Sequence, residues 1–123
     1  MKYLLLVHHN EESFSKMSEG TRKAMLEESI QLCHQLHGKE QYVHASPLQP
    51  VATATVVRVQ EGKRSITDGP FIETREQLAG YFLVDAANMD EAIDIAGRIP
   101  GARIGAVEVR PLREITGLPG ERS

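Results

Sequence analysis

Runs of apolar residues, and runs in which apolar and polar residues alternate, predict a series of strands along the chain. The first, Lys2 to His8, is almost wholly apolar and bounded by polar residues, which is typical of a central strand buried on both faces. A later run rich in Thr and Val reaches a turn at Glu61-Gly62-Lys63, which predicts a hairpin. The other predicted strands span Glu40 to Ser46, Ala52 to Gln60, Arg64 to Thr67, Gly80 to Ala86 and Gly105 to Arg110.

Apolar residues at helical spacing predict two long helices. The first runs from Ser18, a favourable N-cap, to His37, and Gly38 is expected to end it with a left-handed turn. The second begins at Asn88, whose Asn-x-x-Glu pattern is typical of a helix start, and ends at Pro100. The predicted buried face of the first helix comprises Met25, Leu26, Ser29, Ile30, Cys33, Leu36 and His37.

The order of these elements, β, α, β, hairpin, β, α, β, predicts an α+β fold. We expect a four-stranded antiparallel sheet with both long helices packed on one face and the hairpin as an insertion. That arrangement leaves the other face of the sheet apolar and uncovered. Because a monomer rarely exposes so large an apolar patch, we expect a second copy of the chain to cover it in a homodimer.

Composition narrows the class of protein. At 123 residues the chain is expected to form one domain, residues 1–112, with residues 113–123 as a C-terminal extension. A net charge of −3 disfavours nucleic acid as a partner. No apolar run is long enough to span a bilayer, so we expect no membrane partner. The single Cys33 excludes an internal disulfide, and no signal peptide is recognisable, so we expect a cytoplasmic protein. We expect no cofactor.

One segment, Thr67 to Leu78, combines a tight turn with several carboxylates. In Asp68-Gly69-Pro70, Gly69 permits positive φ and Pro70 has a fixed φ. The Asp68 carboxylate is expected to accept backbone hydrogen bonds. Thr74 and Gln77 then fit a capping box, which predicts about one or two turns of helix after the turn.

The run DGPFIETREQLAGYFLV resembles the signature of the DGPF branch of the YCII-related superfamily, which commonly reads close to DGPFAETKEQLGGYFLI. The positions at which the chain departs from it include Ile72, Arg75 and Ala79, all mild changes, and the resemblance covers nearly the whole chain. It implies a ferredoxin-like βαββαβ fold and a dimer of the dimeric α+β-barrel kind, without an established activity. Relatives often sit beside extracytoplasmic-function sigma factors, so the resemblance also implies a sigma-factor-related regulator as a partner.

The function that this segment favours is binding of a small molecule in a cleft beside the turn. Asp68 is the expected proton acceptor, because neighbouring carboxylates shift one another's pKa values. His44 is suited to shuttling protons near neutral pH, and Arg103 to holding an anionic group. The residues expected to bind the ligand are Gly69, Pro70, Phe71, Glu73, Tyr81 and Arg103.

Each of these residues also has a structural interpretation. In it, Asp68 only braces the turn, Arg103 pairs with a carboxylate, Tyr81 is a core residue and His44 lies at the surface. The protein is then a non-enzymatic regulatory or partner protein rather than an enzyme, and the turn is a structural or recognition element.

The sequence predicts no metal site. His8 and His9 are adjacent on a strand and point to opposite faces, so they make a poor chelating pair, and at most one of them faces a cleft. Metal binding through Asp68, Glu73 and a histidine is the weakest hypothesis, because carboxylate sites need several converging oxygens.

Overall fold

A computed structural model describes residues 1–120. The strands are β1 (Lys2–His9), β2 (Tyr42–Pro47), β3 (Thr55–Gln60), β4 (Lys63–Asp68), β5 (Gln77–Asp85) and β6 (Ala106–Pro111). The helices are α1 (Glu11–Ser15), α2 (Glu19–Gly38) and α3 (Met89–Gly97), and short 3₁₀ turns occupy Val51–Thr53 and Pro100–Arg103. Four strands form an antiparallel sheet in the order β2, β5, β1, β6, and β3 pairs with β4 in a second sheet. The predicted ferredoxin-like α+β fold is confirmed.

Both long helices pack on one face of the larger sheet. Tyr3, Leu5 and Val7 of β1 are buried beneath them, and Leu5 lies opposite Phe82 on β5 and Val109 on β6. The residues that alternate with these on β1 are only half-buried, so the strand is covered on one face rather than on both. The helices contribute to this core Leu32 and Leu36 from α2 and Ala92, Ile95 and Ala96 from α3.

The two predicted helix starts are confirmed. The Ser18 hydroxyl accepts a hydrogen bond from the Thr21 backbone N–H at 3.1 Å, and the Asn88 side chain caps α3 in the same way at 2.9 Å. The end of the first long helix differs from the prediction. Gly38 is still helical, and the left-handed conformation falls on Glu40, at a φ of 61°.

The helix predicted after Thr74 is wrong. The segment before β5 is irregular, and β5 already begins at Gln77. Thr74 Oγ1 donates to the Glu76 carbonyl, and Gln77 Nε2 donates to the Thr74 carbonyl at 2.6 Å, so both capping side chains bind carbonyl groups instead of helix N–H groups. Gln77 pairs with His9 of β1, and this long-range pairing overrides the local helix signal.

The hairpin of β3 and β4, residues 55–68, lies outside the larger sheet, and we call it the arm. Its turn, Glu61-Gly62, has φ values of 52° and 77°, as a two-residue type I′ turn requires. Val57 and Ile66 lie opposite each other on the arm, and both side chains are more than half exposed. Ala52, predicted as strand, belongs instead to the 3₁₀ turn that precedes the arm.

The larger sheet ends close to the predicted domain boundary. β6 ends at Pro111, and the Leu112 N–H donates to the Lys2 carbonyl at 2.9 Å. Of the predicted C-terminal extension, residues 113–120 form neither helix nor strand, and residues 121–123 lie outside the described residues. The division at residue 112 stays a prediction. In the described part of the chain, no helix is long and apolar enough to cross a membrane.

Candidate functional site

A cleft of about 230 Å³ opens between the first half of α2 and the helix-facing side of the larger sheet. The apolar residues Met25, Leu26 and Ile30 of α2 form one wall. The opposite side is formed by Val7, Ala45, Gly80 and Phe82 of the sheet and by Ile99, Gly101 and Ile104 of the connection to β6. The cleft is therefore an extension of the hydrophobic core that opens to solvent.

The cleft exists because α2 is buried only towards its C-terminal end, at Leu32 and Leu36. Leu36 is fully buried, whereas Leu26 and Ile30 remain 50% and 48% exposed. The sheet residues that line the cleft include Ala45 and Gly80, which are too small to fill the space below the helix. The face that the sequence predicted to be buried along the whole helix is thus partly the wall of an open site.

The polar side chains of the cleft gather where β1 ends. The His9 ring stacks on Phe14 of α1, with ring centroids 4.5 Å apart and ring planes at 13°. Arg22 of α2 donates through Nη1 to the Ser15 carbonyl at 3.4 Å. Because Phe14 and Ser15 are neighbours in α1, this short helix holds His9 and Arg22 on the same side of the cleft.

Helix α1, which the sequence did not predict, is fastened to the segment before β5. Asn10 caps it and also donates through Nδ2 to the Arg75 carbonyl at 2.7 Å. Gln77 Oε1 accepts from the Glu11 N–H at 2.8 Å, and the Glu11 carboxylate accepts from the Val51 N–H at 2.9 Å. The second half of the Thr67–Leu78 segment therefore supports the cleft without lining it.

Burial alters the acid–base properties of two residues that line the cleft. The pKa of His9 is lowered, chiefly because the half-buried ring loses solvation, and the nearby carboxylates of Glu11 and Glu76 oppose this shift. Loss of solvation also raises the pKa of the Cys33 thiol. His9 is accordingly a neutral hydrogen-bonding group at neutral pH, and Cys33 is a small apolar residue rather than a nucleophile.

The depressed pKa of His9 predicts a pH dependence of stability. Below a pH of about 6.5 the unfolded chain binds this proton more readily than the folded chain does, so the free energy of unfolding falls as the pH drops through the folded-state pKa. Urea denaturation between neutral and mildly acidic pH is expected to show this loss, and His9→Gln is expected to reduce it. His37→Gln, at an exposed position of α2, is the control. An unchanged pH profile in His9→Gln would show that His9 titrates normally.

The predicted proton acceptor lies away from this cleft. None of residues 68–73 lines it. The Asp68 side chain is exposed, and its carboxylate forms no hydrogen bond or ion pair within residues 1–120, so it does not close the Asx-turn expected from the sequence. Glu73 is also exposed. Their chemical roles stay predictions.

The remaining turn residues have the predicted backbone but an exposed aromatic ring. Gly69 has a φ of 99°, and its N–H donates to the Ala54 carbonyl at 2.7 Å. Pro70 is half-buried, whereas Phe71 is 70% exposed. The Arg58 guanidinium lies 4.9 Å from the centre of the Phe71 ring, a cation–π contact that ties the turn to the arm.

Two of the predicted site residues do meet. The Tyr81 hydroxyl lies 2.7 Å from His44 Nδ1, and the two rings stack with centroids 5.7 Å apart. His44 and Tyr81 stand on adjacent strands, on the sheet face away from the helices, where they pair with Leu83 and Ser46 respectively. Tyr81 is also among the residues around the cleft, but its ring and His44 lie on the opposite face of the sheet.

Arg103 does not join them. Its Nη1 and Nη2 donate to the two carboxylate oxygens of Glu28 at 2.9 and 2.8 Å. This two-pronged hydrogen bond lowers the pKa of Glu28 and raises that of Arg103. The guanidinium predicted to hold an anion thus already has a carboxylate partner and lies outside the cleft.

Sequence reasoning missed His9 and Arg22 as site residues. The two-residue period of β1 indicated that one histidine of the pair could face a cleft, which His9 does. Arg22 is not part of the predicted buried face of α2, but it stands one helical turn before Met25 and lines the same cleft. Within residues 1–120, no three His, Cys, Asp or Glu side chains converge as they would around a metal ion.

The fold and the cleft together define a ferredoxin-like α+β domain with a ligand-sized opening under its first long helix. Residues 1–116 match the YCII-related domain, and the chain belongs to that family. It is 36% identical over 121 residues to an uncharacterised protein of Rhizobium meliloti (strain 1021), and the alignment covers 91% of this chain and 92% of that protein. Because that relative is itself uncharacterised, the functional conclusion depends on the geometry of this chain.

Proposed function

We propose that the protein binds a small molecule in the cleft beneath α2. The observation that carries this proposal is an opening of about 230 Å³ with apolar walls and a few polar groups, the composition of ligand sites in general. Protein interiors are normally close-packed, so the exposed sides of Leu26 and Ile30 favour an occupant that covers them.

A thermal-shift screen with small carboxylates, phenols and phosphates tests the proposal, since a compound that binds only the folded state raises its Tm. The matched variants are Ser29→Phe, which places a ring in the cleft, and Glu27→Phe, which places one on an exposed site of α2. A compound that binds is expected to stabilise the wild type and Glu27→Phe but not Ser29→Phe. If no compound raises the Tm, or if Ser29→Phe responds like the wild type, the cleft is not the binding site.

We further propose proton transfer by Asp68 and His44. The support is the hydrogen bond between His44 and the Tyr81 hydroxyl, because both side chains can donate and accept a proton. Asp68 forms no hydrogen bond to either residue within one protomer. We propose that a site that uses all three residues forms where the arm of one copy lies against the sheet of another.

Asp68→Asn tests this role. Because the carboxylate has no partner in the described residues, the variant is expected to keep the free energy of unfolding within about 0.5 kcal/mol of the wild type. It is expected to lose ligand stabilisation or turnover at the same time. A clear loss of stability would instead assign Asp68 to bracing the turn and end its catalytic role.

The homodimer is the assembly that we propose for this site. The sheet face away from the helices carries Leu4, Leu6 and Leu83, and an isolated two-stranded hairpin such as the arm is marginally stable without packing. Sedimentation is expected to show a dimer at micromolar concentration. Ile66→Lys is expected to favour the monomer, and Thr67→Lys, on the other face of the arm, is the control.

A monomer at every concentration would contradict the homodimer and leave the arm for a different protein. That outcome favours the alternative function, a regulatory partner of an extracytoplasmic-function sigma factor.

Within the YCII-related family we place the chain in the DGPF branch, supported by the Asp68-Gly69-Pro70-Phe71 turn. The single Cys33 supports a cytoplasmic location.

A further inference from the structure

Arg22 supplies the charge of the cleft. Among the described residues that line it, Arg22 alone is fully charged at neutral pH, since loss of solvation favours the neutral form of His9. Two other arginines have carboxylate partners: Arg103 pairs with Glu28 and Arg110 with Glu108. Arginines without one in the described part of the chain, such as Arg58 and Arg64, are exposed and lie outside the cleft, whereas Arg22 is half-buried. Arg22 forms no ion pair within residues 1–120, and its described hydrogen bond goes to the Ser15 carbonyl.

We infer that the ligand of the cleft is an apolar molecule that carries a single carboxylate group, held by the guanidinium of Arg22. This inference rests on the proposed binding function and adds the chemical class of the ligand. Arg22 is half-buried and has no anionic partner among the described residues. A carboxylate matches its guanidinium, because it accepts two parallel N–H bonds. The apolar part of the ligand lies against Leu26, Ile30 and Phe82.

The charges around the cleft favour a monoanion over a phosphate. Glu11 and Glu76 act on His9 from nearby, and the Glu11 carboxylate is held in place by the Val51 N–H. One guanidinium balances one negative charge, whereas a phosphate monoester brings nearly two at neutral pH. The second charge of a phosphate would face these two carboxylates without a cation to balance it.

The volume of the cleft sets the size of the apolar part. A cavity of about 150 Å³ accommodates benzene. The cleft, at about 230 Å³, has room for a ring and a short chain and opens on one side for the polar end. An arylalkanoic acid with one ring and a side chain of a few carbons fits both the volume and the charge.

Isothermal titration with 3-phenylpropanoate, its neutral amide and phenyl phosphate tests the class. The acid is expected to bind the wild type about tenfold or more tightly than either of the other probes, because a charge-assisted pair is stronger than a neutral hydrogen bond. Arg22→Gln is expected to remove this preference while leaving the affinity for the amide unchanged. Lys23→Gln, at the next position of α2 and exposed, is expected to behave like the wild type.

The outcomes separate the ligand class from the binding function. If acid and amide bind equally, or if Arg22→Gln keeps the preference for the acid, the carboxylate inference is wrong while the cleft remains a binding site. If phenyl phosphate binds best, the ligand is a phosphate and the monoanion argument is wrong. If no probe binds, or if Ser29→Phe leaves binding of the acid intact, the inference fails together with the proposed function.

Discussion

Leu36→Ala is expected to lower the free energy of unfolding by about 2–5 kcal/mol, because the side chain is fully buried in the core and its removal leaves a cavity. Leu26→Ala, ten residues earlier on the same helix, is expected to cost less than about 1 kcal/mol, because half of that side chain already contacts water in the open cleft. The chemical change and the helix propensity are the same at both positions, so the difference measures burial alone.

Urea denaturation at one fixed protein concentration measures both variants, since assembly makes apparent stability depend on concentration. Leu26→Ala is also expected to weaken binding of any compound that stabilises the wild type. A loss from Leu26→Ala as large as that from Leu36→Ala would mean that α2 packs down onto the sheet in solution. The cleft would then be closed, and the proposed function would lose its site.

The fold was predictable because its signals are local. An apolar run predicts β1, and the side chains of Ser18 and Asn88 cap their helices as expected. The predicted helix after Thr74 fails for the opposite reason. Its Thr-x-x-Gln pattern describes a local helix start, but Gln77 and the residue after it pair with β1, whose partner residues lie far away in the sequence. No window of sequence contains both halves of that pairing.

The candidate site was only partly predictable. His44 and Tyr81 were both predicted to belong to a site beside the Asp68 turn, and the pairing of β2 with β5 brings the two together. The cleft itself was not expected, because it depends on how far the first half of α2 stands from the sheet. That distance is set by tertiary packing of small residues such as Ala45 and Gly80 and leaves no periodic pattern in the sequence.

The conformation of the turn at Asp68 can be predicted from the sequence, but its position relative to the cleft cannot. Turn chemistry is readable over a few residues, so the sequence predicts the conformation of Gly69 well. Whether a turn faces a cleft is decided by the whole chain. In this protein the same segment contributes to the cleft through Arg75 and Gln77, which hold α1 in place, and through the Glu76 carboxylate, which acts on His9, but not through Asp68 or Glu73.

Gly105→Ala is expected to destabilise the protein by about 1–3 kcal/mol, through steric overlap rather than backbone conformation. A methyl group at this position would meet the His8 carbonyl oxygen and lie 3.0 Å from the His9 Cα atom. These are backbone atoms at the end of β1, so they cannot move aside as a flexible side chain would. Gly97→Ala is the matched control, because a methyl group there meets no atom within 4 Å.

Gly97 is the last residue of α3, where alanine restricts the unfolded chain and is expected to stabilise the protein by about 0.4–1 kcal/mol. The two glycine variants should therefore shift the urea midpoint in opposite directions. The added methyl group in Gly105→Ala is expected to displace the backbone at His9, which lines the polar side of the cleft. This variant should therefore also weaken binding of 3-phenylpropanoate. Full stability together with full binding would show that the connection to β6 does not press on the end of β1.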